Sequence, residues 1–412
     1  MRIVIATAVY YPMINGVAMF SYNLALGLAR RGYEVMVLTP SQNKKYHVEV
    51  LDGVEVVYLK SKDIKIYPDQ IHEVPEKKKF FYKNGLKASI FPSGQIRRVL
   101  DKFKPDVVYV QGSDPIGVAV VGYAKKHHIP VVTTEHNQPE VLTEPLHLPG
   151  VVRKPINNIL SAYFRKRQKK SDYVTMPTQL SIDHLFKGKD LDVPVEAVSN
   201  GVDLSAFRPG KAKEFVYDKY DIPKDVPILL YVGRVDPEKK IGAVLTAFSD
   251  FLSEHKLDKL SKTFLLVVGD GVDKNRLETL AVKLGISGSV KFLGRVMPPD
   301  LYEIYKVGDA FVTASEIETQ GIVLIEAAAS GLPLLAVNAG AVAEVCKNNY
   351  NGYLLNPGDE KAMTKAMTDI LLDDKKRALM SEKSVEIAMK HDFSHTLDKF
   401  LEIYQKLISK KR

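Results

Sequence analysis

Short runs rich in Val, Ile and Leu alternate with helix-length segments from one end of the chain to the other. A strand buried on both faces reads as a continuous apolar run, so this rhythm predicts parallel sheets with helical crossovers. In the first half the runs predict strands at Ile3 to Ala6, Glu34 to Leu38, Glu55 to Leu59, Val107 to Val110, Val131 to Thr134 and Tyr173 to Met176. In the second half they predict strands at Ile228 to Val232, Phe264 to Val268, Val290 to Leu293, Ala310 to Thr313 and Pro333 to Val337. Two doubly wound α/β domains follow. Between them, Asn200 to Gly210 carries turn formers and neither period, which places the linker there. The predicted division is 1–204, 205–393 and a final segment 394–412. That segment holds a helix, about Ser394 to Ser409, which could pack on either domain, a return to the first being one of the two options.

Length agrees, since 412 residues exceed the size at which one hydrophobic core keeps growing. Apolar residues are 45% and charged residues 26%, which is globular rather than disordered composition. The lone Cys346 cannot form an internal disulfide, and the chain opens on strand-like residues without a signal segment, so a cytoplasmic enzyme is expected. No apolar run approaches the roughly 20 residues that cross a bilayer. A net charge of +9 favours an anionic partner without saying which. Nucleic acid is disfavoured, because no recognisable reading module is present.

In an open parallel sheet, ligands sit beyond the carboxyl ends of the strands, and two facing domains of this kind enclose a cleft. After the first strand, Asn15 and Gly16 stand at the entrance to a helix. Free N–H groups there suit a phosphate; an ordinary turn is the alternative. The three spaced glycines of a nicotinamide site are missing from this turn, which argues against a dehydrogenase. After Ile228 to Val232, the loop from Gly233 brings Arg234 and Lys239 to the start of a helix. A planar fork and a point charge converging on one anion suit a departing diphosphate; a solvated basic turn is the bland reading. Glu318 follows a strand, and Glu326 lies eight positions later on an apolar helix. A carboxylate there is costly unless hydrogen-bonded, either by sugar hydroxyls or by a neighbouring backbone that it caps. Thr133 to Asn137 ends another strand, with His136 a candidate sugar contact or transition-state stabiliser and Glu135 competing for the role. No metal constellation is evident.

Together these motifs resemble the retaining GT-B glycosyltransferases of family 4. The resemblance rests on Pro12 to Val17, His136, Asn200-Gly-Val-Asp203, Gly233-Arg234 with Glu238-Lys239, Gly269-Asp-Gly271, and the pair Glu318 and Glu326. It implies two facing Rossmann-like domains and transfer of a hexose with retained anomeric configuration, with no cofactor beyond the nucleotide-sugar co-substrate. It further implies that Arg234 and Lys239 hold the diphosphate and Glu326 the ribose hydroxyls. Glu318 would hold the donor sugar with backbone amides near Gln320 and Gly321, His136 would lie beside the transferred sugar, and Gly16 would approach the phosphate. Asn15-Gly16 departs from the two glycines common in relatives.

Glu318-Thr-Gln-Gly resembles the variant found in glucosyltransferases that modify diacylglycerol, which implies UDP-glucose as donor and a lipid acceptor. A saccharide acceptor, a non-catalytic nucleotide- or glycan-binding scaffold and a sugar-nucleotide epimerase are the competing readings. Arg153 to Lys170 mixes Ile156, Ile159, Leu160, Tyr163 and Phe164 with basic residues, and Lys77 to Lys83 repeats the mixture. Each basic residue near an anionic membrane contributes about 1 kcal/mol, so these stretches predict peripheral binding at the inner membrane face; a solvated helix over a core is the alternative.

Overall fold

The computed structural model describes residues 1–13, 15–63, 87–90, 92–136, 138–143, 149–189 and 191–411. Lys77 to Lys83, and Asn137, lie outside them. The chain divides into two compact units, Met1–Asn200 with His395–Arg412, and Gly201–Ser394.

The first unit contains β1 (Arg2–Thr7), β2 (Glu34–Pro40), β3 (His47–Leu51), β4 (Val54–Leu59), the short pair β5 (Lys62–Asp63) and β6 (Lys87–Ala88), β7 (Val107–Gln111), β8 (Val131–Thr134), β9 (Tyr173–Met176) and β10 (Val195–Ala197). Eight of them form one sheet in the order β10-β9-β8-β7-β1-β2-β4-β3. Only the edge strand β3 runs antiparallel. Alternation sends Val4, Ala6, Met36, Leu38, Val108 and Val110 to one face, where they pack on Ile96 and Leu100 of the helix Ser93–Phe103 and on Ile116 and Val120 of the helix Pro115–Lys126.

On Tyr109, between Val108 and Val110, the side chain meets the final helix Phe393–Lys411: its ring lies 5.1 Å from Phe400 and 6.3 Å from Tyr404. Leu397 of the same helix covers Gly27, where even a methyl group would lie 2.7 Å from the leucine. The last helix therefore completes the core of the first unit.

The second unit contains β11 (Ile228–Val232), β12 (Phe264–Val268), β13 (Val290–Gly294), β14 (Ala310–Thr313), β15 (Leu334–Val337) and β16 (Gly352–Leu355). They form an all-parallel sheet in the order β13-β12-β11-β14-β15-β16. Neighbouring residues feed separate cores: Leu229, Tyr231, Leu265, Val267 and Val312 face one, while Ile228, Leu230, Leu266, Phe311 and Leu334 face the other. The turn-rich segment after Asn200 carries core residues of this unit, Val202 and Phe207. Val202 also donates to the His391 carbonyl and accepts from the Phe393 amide, so the outgoing and returning segments pair side by side.

Besides the two-residue β5 and β6, three strands lack the apolar run that marks most of the others. β3 exposes Val48 and Val50, β10 has three residues, and β16 opens on glycine inside a turn-rich stretch.

Candidate functional site

In the second unit the chain builds β11, β12 and β13 outward to one side and then returns to place β14 and β15 on the other. The strand order reverses between β11 and β14, the place where an open α/β sheet leaves a crevice beyond its strand ends. Lys239 follows β11 and Glu318 follows β14. The structure brings them together: the Lys239 ammonium donates to Glu318 Oε1 at 2.6 Å and to Ser315 Oγ at 3.3 Å. Both side chains are 14% exposed. Glu318 is fixed from behind as well, since its carbonyl accepts the Ala341 amide from the loop after β15 at 3.0 Å.

The loop carrying Arg234 is held by close backbone contact. The Gly233 amide bonds Val268, the Val235 amide bonds Asp270, and the Asp273 amide returns to Val235. A Cβ at Gly269 would collide with the Gly233 carbonyl and one at Gly271 with the Val235 carbonyl. This explains in physical terms why a glycine-flanked acid follows β12. The Tyr231 hydroxyl donates to the Arg234 carbonyl at 2.7 Å. The Arg234 guanidinium pairs with Asp236 and Glu238, and the other oxygen of Asp236 accepts the Val272 amide at 3.1 Å. Each cation predicted to meet an anion is therefore already engaged with carboxylates of its own chain.

Glu326 lies on the helix Ile322–Ala329, whose start is set by Gly321 with a φ of 72° and by the buried Gln320. Its carboxylate accepts the Tyr305 hydroxyl at 2.6 Å and is not seen capping a neighbouring backbone. Burial raises its pKa to about 7, and the tyrosine hydrogen bond opposes that rise. Among the described residues no hydrogen bond or ion pair joins Glu326 to Glu318 or Lys239; Tyr231 and Tyr305 stand in the two cores beneath these loops.

In the first unit, Gly16 is exposed at the start of the helix Gly16–Arg30, and Asn15 caps that helix by accepting the Ala18 amide at 2.9 Å. The asparagine thus takes one of the donors that a phosphate would use. His136, just past β8, is 8% exposed, packs edge-on against Phe20 with ring centroids 5.6 Å apart, and has no hydrogen-bond partner for Nε2 among the described residues. Burial lowers its pKa to about 4, so the ring is neutral near pH 7. Glu135 is fully buried and accepts from Gln168 at 3.0 Å and Ser113 at 3.3 Å, which makes it part of the packing under the strand end.

The basic stretch forms the helix Gly150–Gln168. Phe164 belongs to the core, whereas Val151 and Ile159 are 83% and 68% exposed. Arg165 is taken up by the Leu185 carbonyl and Lys169 by Asp192. No described helix is long and apolar enough to cross a membrane.

Sequence reasoning missed Asp236, Ser315 and Tyr305. Asp236 and Ser315 sit inside the motifs and their residue types were the available signal. Tyr305 is 21 positions from Glu326, and nothing local marks it.

Two Rossmann-like doubly wound units in one chain define the GT-B class of glycosyltransferase fold. The chain is a glycosyltransferase of this class and belongs to family 4, as residues 14–206 match Glycosyltransferase Family 4 and residues 212–386 match Glycosyl transferases group 1. Among its relatives, an alpha-monoglucosyldiacylglycerol synthase of Streptococcus pneumoniae is 28% identical over 94% of this chain and 82% of its own length. A GDP-mannose-dependent alpha-mannosyltransferase of Mycobacterium tuberculosis is 26% identical over 93% and 92%. The fold is similar to that of a sucrose-phosphate synthase from Thermosynechococcus elongatus, with a TM-score of 0.75, 19% identity and 99% coverage of both chains.

Proposed function

We propose that this glycosyltransferase moves glucose from UDP-glucose to a hydroxyl of a membrane lipid such as diacylglycerol, with retention of anomeric configuration. The observation that carries the reading is the Lys239–Glu318 pair at the switch point of the second sheet. It sets a cation suited to a diphosphate beside a carboxylate suited to sugar hydroxyls. In this reading Arg234 and Lys239 stabilise the charge that grows on the diphosphate as the sugar–oxygen bond breaks. Glu318 accepts from the hexose hydroxyls with the amides near Gln320 and Gly321, and Glu326 accepts from the ribose. For His136 and Gly16 the proposed roles, a contact to the sugar and an approach to phosphate, rest on the motif resemblance.

Support for a lipid acceptor comes from the exposed Val151 and Ile159 among basic residues of the helix Gly150–Gln168, and from the name of the Streptococcus relative. The same helix would hold the protein at an anionic membrane face. Incubation with a panel of sugar nucleotides and lipid extract, read by mass and by NMR of the anomeric proton, tests donor, acceptor and stereochemistry together. A glucolipid of donor configuration is expected; a soluble glycoside, or an inverted product, would refute the reading. Flotation with anionic vesicles at physiological salt should carry the protein upward.

A further inference from the structure

The cluster around Arg234 and Lys239 holds three carboxylates against two cations: Asp236 and Glu238 on Arg234, and Glu318 on Lys239. The formal balance is negative before any ligand arrives. An empty site meant only to attract a diphosphate would leave its cations unpaired. The two pairings also differ in what a ligand could replace. Asp236 is anchored by the Val272 amide and Glu238 lies one turn along the same loop, so the clamp on Arg234 is internal to that loop. Glu318 instead comes from the loop after β14 and meets Lys239 across the switch point. Its carboxylate needs a donor: if the lysine turns to phosphate, something else must take its place.

We infer that Glu318 is a specificity determinant that discriminates a sugar-bearing diphosphate from a free nucleoside diphosphate, by holding Lys239 until sugar hydroxyls replace the lysine as its donors. This rests on the proposed donor site and concerns how that site tells donor from product. A nucleoside diphosphate without sugar offers Glu318 no donor and brings more negative charge towards it. It therefore binds against the carboxylate. A nucleotide sugar supplies hydroxyls to Glu318 and frees Lys239 for the phosphates, so the same carboxylate favours it. After transfer the hydroxyls depart with the product, Glu318 reclaims the lysine, and the nucleotide is released. Asp236 and Glu238 have no such choice and lower affinity for both ligands alike.

Calorimetric titration of the full chain with UDP and with UDP-glucose, in wild type, Glu238→Gln and Glu318→Gln, tests this. Glu318→Gln should tighten UDP about tenfold, the scale of one charge contact moderated by solvent, while UDP-glucose gains nothing or weakens. Glu238→Gln should tighten both ligands by one common factor. Should Glu318→Gln melt early, Glu318→Asp, which keeps the charge but shortens its reach, should give a smaller shift in the same direction. Equal shifts for the two ligands at Glu318, or UDP affinity unchanged there, would overturn the inference while leaving the donor site standing. A wild-type chain that binds neither UDP nor UDP-glucose would overturn the proposed donor together with it.

Discussion

The two units treat their candidate residues in opposite ways. In the second, Arg234, Lys239, Glu318 and Glu326 each have a charged or phenolic partner. In the first, His136 is buried against Phe20 with Nε2 unbonded among the described residues, and Gly16 is exposed beside a capping asparagine. A site of paired charges is organised before ligand arrives and responds to charge removal. A neutral buried imidazole responds to acid. The difference can therefore be probed by what disturbs each unit.

The largest contrast should come from Lys239→Ala, which removes the charge paired with Glu318. Turnover is expected to fall about 10²- to 10³-fold while the circular dichroism of the fold stays native, with melting lowered because Glu318 loses its cation. Unchanged turnover there and in Glu326→Ala would remove the second unit's claim to the chemistry. Next comes Leu397→Ala, which empties the space over Gly27; it should cost about 3 kcal/mol in denaturant unfolding and act on the first unit. A loss confined to hydrogen-exchange protection of the second unit would contradict the placement of the last helix.

Acid and base should then separate the units by sign. His136 has a pKa of about 4, below its usual value near 6.5, so the unfolded chain binds the proton first and stability falls as pH drops across that window. His136→Phe should recover about 2 kcal/mol at pH 5 relative to wild type, measured against the difference at pH 8. Glu326 has a pKa of about 7, raised by burial, so its contribution is full below about pH 4.5 and is lost as pH rises through 7. Glu326→Gln should gain about 1–2 kcal/mol at pH 8 and nothing at pH 4. Parallel pH slopes for the two variants would show that the two groups do not differ as described.

Much of the second sheet was legible because its strands are buried on both faces: residues 228–232 and 264–268 alternate between two cores and leave no polar interruption. Edge strands such as β3 were not, as one face of Val48 and Val50 meets solvent and the run is broken by charge. At the site, sequence located the loops but not their wiring. Arg234 and Lys239 read as one converging pair, whereas the structure divides them between separate carboxylate partners. That division follows from the strand order, which puts the loops after β11 and β14 side by side although nearly 80 residues separate Lys239 from Glu318. The acid at Glu326 was conspicuous on an apolar helix; its phenolic partner came from a different helix, and no spacing rule connects the two.

The last helix has a consequence for how the protein is made. A ribosome delivers residues 1–200 long before Leu397, Phe400 and Tyr404 emerge, so the sheet face around Tyr109 must wait, uncovered, through synthesis of the entire second unit. The half translated first is the half completed last. Nascent chains halted before residue 395 should accordingly engage chaperones through that face and shed them once residues 395–412 clear the exit tunnel.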